Sequence, residues 1–298
     1  MRIRGGAVTV ILVLAAGVGC TSDRNLSSAV SAAPNDTSTA ISPAATPSSE
    51  TAPAETSSAA LPTTEAEGTA SVVESHFGTL PVGAVLPSDA ECAARVRPTA
   101  EIRPANAKFN SVPGSGPAQT GTFYGRVTGD FTGTTDEIIQ WAACKWGIDE
   151  DIVRAQAAKE SGWFQENRGD YTSDPAHCVP GHGIGVDGKS GQCPESIGLM
   201  QVRYQVLMPA FPMATDSSAY NLDEALAARR SCFEGNEPWL NTVDRGSEYA
   251  AGDIWGCIGM WFAGRWHTAP ADEYAAAVRD YLDQQIWATP EFLTWTPG

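Results

Sequence analysis

Apolar residues are spread very unevenly along the 298 positions. An apolar run, Ala7 to Val18, follows Arg2 and Arg4 and leads into Gly19-Cys20. A basic start, a short apolar stretch and small residues before a cleavage point are the marks of an export signal. The run is shorter than the ~20 residues of a membrane-spanning helix. From Thr21 to about Glu74 large apolar residues almost vanish, and Ser, Thr, Ala and Pro dominate. Such a stretch buries too little surface to offset its ordering entropy, so residues 21–79 are expected to be a disordered tether.

Patterning resumes near Leu80. Residues 80–133 are broken by Pro, Gly and Asn, which predicts an extended arm with a helix only around Asp89 to Val96. The Thr134/Glu137 pair is a capping box opening a helix whose apolar face is Ile138, Ile139, Trp141, Ala142 and Trp146, stopped by Gly147. Asp149 to Asp151 open a second helix, which Ser161-Gly162 end. A Gly- and Asp-rich loop follows from Asn167 to Glu195, with a hairpin expected at Val186 to Gly191. Further helices are expected over Leu222–Phe233, Glu248–Ala263 and Ala271–Trp287. The pattern predicts an α+β, mainly α domain over 134–298, carrying a small β-hairpin region.

Cysteine and charge narrow the class. Setting Cys20 apart leaves six of the seven cysteines in the patterned region. In an exported chain an even number reads as a disulfide framework. Cys178–Cys193 would close one local loop, and Cys232–Cys257 and Cys92–Cys144 follow by elimination. No C-x2-C or His pair suggests a metal site, and His177, His182 and His267 show no ligand spacing. Asp187-Gly188-Lys189 lacks the oxygen spacing of a calcium loop and reads as a turn. The net charge of −16 argues against nucleic acid and against electrostatic docking on anionic membranes. Membrane attachment is expected only through a lipid on Cys20; Gly17, where lipoprotein signals carry Leu, keeps a plain secretory signal open.

The candidate chemistry centres on Glu160. It falls in the last turn of its helix, where the negative end of the dipole disfavours an ionised carboxyl. Ala157, Trp163 and Phe164 flank it in sequence, and apolar surroundings raise its pKa further. A carboxylic acid still protonated near neutral pH is what protonation of a glycosidic oxygen requires; the same logic underlies the well-known lysozyme acid. A second carboxylate, where a mechanism needs one, would come from Glu166, Asp170, Asp187 or Glu195.

Ala155 to Gly162, containing Lys159-Glu160-Ser161, is followed by Ser196-Ile197-Gly198-Leu199-Met200-Gln201-Val202. This pair of motifs resembles the soluble lytic transglycosylase (SLT) domain family of the lysozyme-like superfamily. The likeness spans roughly Thr134 to Leu282, and the arm and bridged loop resemble an actinobacterial lipoprotein branch. Ser196 stands one residue closer to the Gly than in that family. Its Tyr-Asn-Ala-Gly motif is replaced here by Trp261-Phe262-Ala263-Gly264.

The resemblance implies a lysozyme-like fold and a monomeric, cofactor-free enzyme acting on peptidoglycan glycan strands at the cell envelope. Glu160 would be its single acid/base, and the product a 1,6-anhydro sugar. Ser161 would buttress the helix end. Ser196, Gly198, Met200 and Gln201 would line the cleft, with Gln201 on a sugar, and Leu199 would be core. Ala263 and Gly264 would complete the site, and Trp163, Trp261 and Trp266 are candidates to stack on sugar faces. A lysozyme-type hydrolase and a non-catalytic glycan-binding lipoprotein remain as rival expectations.

Overall fold

The computed structural model describes residues 76–114, 116 and 119–295. The export signal, Cys20 and the tether up to residue 75 lie outside the described residues. Residues 76–79, expected to be tether, are part of the fold. Phe77 is buried in the main core, its carbonyl accepts from the Glu150 amide at 2.9 Å, and the Arg95 and Arg97 guanidiniums lie over its ring. One aromatic residue at the end of a polar tract is enough to anchor the chain.

The arm is not extended throughout. It holds α1 (Asp89–Ala93) and α2 (Ala107–Asn110), with 3-10 turns at Pro104–Asn106 and Tyr124–Arg126. α1 is shorter than the expected helix and opens on a Ser88/Glu91 capping box. Next come α3 (Thr135–Trp146) and α4 (Glu150–Ser161). Both bonds of the Thr134/Glu137 capping box form, and Gly147 and Gly162 take left-handed conformations at φ 56° and 60° to stop the two helices.

A three-stranded antiparallel sheet follows: β1 (Arg168–Thr172), β2 (Cys193–Ile197) and β3 (Val202–Arg203). Arg168 pairs with Ile197, and Ser196 with Arg203. The expected hairpin at Val186 to Gly191 does not form; that segment is a series of turns with Gly188 and Gly191 at positive φ. The real hairpin is β1–β2. Its buried strand, β2, lacks the alternation that marks a half-exposed strand, which hid it from pattern reading.

The chain then forms α5 (Met213–Asp216), α6 (Ser218–Phe233), α7 (Ile254–Ala263), α8 (Ala269–Asp283) and α9 (Pro290–Thr294). α6 starts four residues before the pattern suggested, capped by Ser217, and α7 starts six residues later, capped by Asp253. The architecture is mainly helical with one small antiparallel sheet. Among the described residues no helix is long and apolar enough to cross a membrane.

Every residue of α6 is buried, so this helix is the axle of the fold. Several of its polar side chains are met by protein groups. The Asp223 carboxylate accepts from Lys145 Nζ at 2.7 Å, from Trp146 Nε1 at 2.6 Å, and from the Thr128 and Gly129 amides at 2.8 Å. Arg230 donates to the carbonyls of Leu80, Pro81 and Gly147. The arm and α3 are thereby fastened to α6 by buried charges, each with hydrogen-bonded partners.

Three disulfides complete the frame. Cys92–Cys144 joins α1 to α3, Cys178–Cys193 closes the β1–β2 loop, and Cys232–Cys257 joins α6 to α7. Their sequence separations are 52, 15 and 25 residues. If loop-closure entropy dominates, loss of Cys92–Cys144 destabilises the fold by about 1 kcal/mol more than loss of Cys178–Cys193. Urea unfolding of the two paired Cys→Ala variants measures this. The reverse order would show that native-state packing outweighs chain entropy here.

Candidate active site

Glu160 lies one residue before the end of α4 and is half-buried. Burial of its carboxyl raises its pKa from an ordinary 4.5 to about 7. A hydrogen bond from the Tyr274 hydroxyl to Oε1 and the charges of Arg229 and Lys159 pull the other way. The charge of Asp170 pushes it up. Desolvation wins, and the carboxyl is poised to hold its proton near neutrality.

The end of α4 is braced from two sides. From the arm, buried Arg103 donates through Nε to the Gly162 carbonyl at 2.8 Å, a cation at the negative end of the helix. Asn106 donates to the Trp163 carbonyl at 2.7 Å and accepts from the Gln165 amide at 3.0 Å. From the opposite side, Ser161 Oγ donates to the Leu199 carbonyl at 2.9 Å. The two sequence motifs are therefore in direct contact, with Ser161 buttressing the helix end.

The second motif is a tight turn between β2 and β3. Gly198 sits at φ 93°, and a Cβ there would meet the Asn221 side-chain nitrogen at 2.1 Å. Only glycine fits that combination. Asn221, buried on α6, clamps the turn: it accepts from the Met200 amide at 2.9 Å and donates to the carbonyls of Ile197 and Ala214. Gln201 adopts φ 50°, and its amide donates to the Asn167 and Gly198 carbonyls and accepts from Ser196 Oγ at 3.1 Å. Asn167 Nδ2 in turn donates to the Glu160 carbonyl at 3.3 Å.

The expected site residues divide accordingly. Ser161, Ser196, Gly198 and Gln201 form one hydrogen-bonded assembly linked to the backbone at Glu160, so Gln201 is first of all a loop lock. Met200 and Leu199 are fully buried core. Trp163 and Trp266 are 2% and 3% exposed and present no face to a ligand. The Trp163 indole donates to the Arg154 carbonyl, and Trp266 packs in the cluster around Cys232–Cys257. Both fall from the list of sugar-stacking candidates because bulk and apolarity drew them inward. The Trp261 indole donates to the Met200 carbonyl at 3.1 Å under the Arg229 guanidinium, so it too serves the turn. Ala263 and Gly264 end α7, with Gly264 left-handed at φ 58°.

Three of the four candidate second carboxylates have ion-pair partners. Glu166 pairs with Lys108, Asp187 with Arg168 and His182, and Glu195 with Arg203 and His177. Asp170 is the one whose charge acts on Glu160, and it holds φ 48° within β1, a conformation Asp tolerates better than most residues. His267 pairs with Asp253 and Asp272. His76, Asp149 and Asp151 could converge on a cation. They sit at the positive end of α4, about 16 Å from Glu160 at 1.5 Å per residue, and take no part in its chemistry.

Pattern reading missed Tyr274, Arg229 and Asn221. Tyr274 carries the only hydroxyl in the buried row Ala271, Tyr274, Ala275, Val278 of α8, and Gln156 Nε2 donates to it at 3.3 Å. Arg229 is buried on α6, donating through Nη1 to the Ala225 carbonyl. A polar tip inside a helical apolar row was the available signal for both. Asn221 gave none, since its partners are backbone groups distant in sequence.

Replacing Asn221 by Ala removes three buried hydrogen bonds and strands their backbone partners. The expected cost is about 2–4 kcal/mol in urea unfolding, with Gly198 to Gln201 losing amide-exchange protection first. A change under about 1 kcal/mol would show that the turn holds without its clamp. No protein-family profile, curated protein or solved structure matches this chain.

Proposed function

We propose that the chain is an exported enzyme with a lysozyme-like fold that cleaves peptidoglycan glycan strands between N-acetylmuramic acid and N-acetylglucosamine. The observation that carries this reading is the Glu160 carboxyl. It is raised to about 7 at the end of α4 and tied through Ser161 and Asn167 to a rigid Gly-Leu-Met-Gln turn. A protonated carboxylic acid beside a fixed loop suits general acid catalysis on a neutral sugar backbone. Three disulfides and an N-terminal export pattern ending at Cys20 support an envelope location, with the lipid on Cys20 as anchor.

In this mechanism Glu160 donates its proton to the glycosidic oxygen as the bond to the anomeric carbon breaks. The positive charge that develops on the sugar is met by the resulting Glu160 carboxylate and by the substrate's own acetamido oxygen. The carboxylate then takes the proton of the sugar 6-hydroxyl, whose oxygen closes on the anomeric carbon. The product is a 1,6-anhydro end, and Glu160 is protonated again. Tyr274 keeps the carboxyl oriented through its hydroxyl. A hydrolytic route has one observation in its favour: the charge of Asp170 reaches Glu160, and a second carboxylate could direct water to the same carbon.

Activity on peptide-free glycan should be present below pH 7 and fall as pH rises through the Glu160 pKa. Glu160→Gln should reduce it by about three orders of magnitude or more. The shift has a stability counterpart. A carboxyl raised in the folded state contributes stability that is present below pH 4.5 and lost as pH rises through about 7. Glu160→Gln should therefore melt higher than the parent at pH 8 and gain little at pH 4. Mass spectrometry separates the routes, since anhydro ends are one water lighter than reducing ends. Full activity in Glu160→Gln would overturn both.

A further inference from the structure

We propose that Phe262 is the aromatic floor of a sugar subsite beside Glu160, receiving the apolar face of an N-acetylated pyranose. The proposal rests on the glycan-cleaving reading above and adds the group that holds the substrate. A single exposed apolar side chain is ordinary on a protein surface, so exposure alone says little. The geometry around Phe262 says more.

Phe262 stands in the last turn of α7 and is 60% exposed. Its ring lies parallel to that of Tyr274, with centroids 4.8 Å apart and planes inclined by 4°. Tyr274 is buried, and its hydroxyl donates to Glu160 Oε1. The chain of contacts runs from solvent through two stacked rings to the acid. One face of Phe262 is spent on Tyr274, which fixes the plane of the ring; the exposure belongs to the rest of the side chain. Tyr274 is itself anchored, since Gln156 donates to its hydroxyl and Glu160 accepts from it. A flat apolar surface, held rigid and open to water within one ring of an acid, is a ready stacking platform.

The neighbouring aromatics sharpen the assignment. Trp261 turns inward, spending its indole N–H on Met200 and one face on Arg229. Trp163 and Trp266 are buried. Among the described residues the exposed Phe and Trp side chains are Trp239, Phe262 and Trp295. Of these, Phe262 is the one stacked on the residue that holds Glu160. The Trp261-Phe262 pair therefore splits its labour: the first ring locks the turn, and the second faces the substrate. A pyranose ring suits this platform because one of its faces is lined by C–H groups, and the platform itself carries no charge.

The test is calorimetric titration of a peptide-free oligomer of alternating N-acetylglucosamine and N-acetylmuramic acid into the Glu160→Gln protein. The background is compared with the same protein carrying Phe262→Ala, Phe262→Leu or Phe262→Tyr. Leu keeps apolar contact with Tyr274 but has no flat face, so it separates packing from stacking. Ala and Leu should weaken binding about five- to tenfold, and Tyr should restore it to within about twofold. In the active enzyme the loss should fall on KM, with the pH limb of activity unmoved. Leu binding as tightly as Phe, in a protein that does bind and cleave glycan, would overturn this proposal alone. Absence of both binding and cleavage in the parent proteins would overturn the glycan reading and this proposal together.

Discussion

A carboxyl group withdrawn from water at the end of α4 is the constraint around which the rest of the molecule is arranged. Left to itself Glu160 would swing into solvent and titrate like any other glutamate. It stays because α8 offers the Tyr274 hydroxyl, and because the backbone around it cannot move. Arg103 holds the Gly162 carbonyl, Asn106 holds Trp163 and Gln165, and Ser161 is tied to Leu199. The arm, which sequence pattern could assign no role, is the brace on one side of this helix end. The β2–β3 turn is the brace on the other.

Those braces depend in turn on α6. Asn221 fixes the turn, and Asp223 fixes the arm through Thr128 and Gly129 and α3 through Lys145. A helix buried on all sides would normally be apolar all round. Here Asn221, Asp223 and Arg230 each meet a named element, so buried polar groups specify which segment docks where. That arrangement carries a risk: loss of one partner leaves a charge stranded inside. Disulfides at both ends of the arrangement, α1 to α3 and α6 to α7, keep the docked segments close even when one contact opens.

What could be seen in the sequence follows from how local each signal is. The Thr134/Glu137 box, Gly147 and Gly162 set the ends of α3 and α4, because capping depends on neighbours within one turn. All three cysteine pairings agree with the structure. The hairpin failed because β2 is buried on every residue and so shows no alternation. The tryptophans misled for another reason: Trp163 and Trp266 are large enough to be core, and residue type does not say which way a ring points. Tyr274 and Arg229 offered only a polar tip in an apolar row, because what they touch lies on helices more than forty residues away. Phe262, read as a lost motif position, gains significance only from the ring beneath it.

The most direct test of the account is the titration of Glu160 itself. Side-chain carboxyl carbons of ¹³C-glutamate-labelled protein can be followed by NMR from pH 3 to 9, with the Glu160 resonance assigned by its absence in Glu160→Gln. The Glu160 resonance should titrate near pH 7, well above the ~4.3 of a free glutamate; buried Glu224, also raised to about 7, is told apart because its resonance persists in Glu160→Gln. A Glu160 resonance that moves between pH 4 and 5 would show a solvated carboxylate at the end of α4, and the acid on which the account is built would not exist.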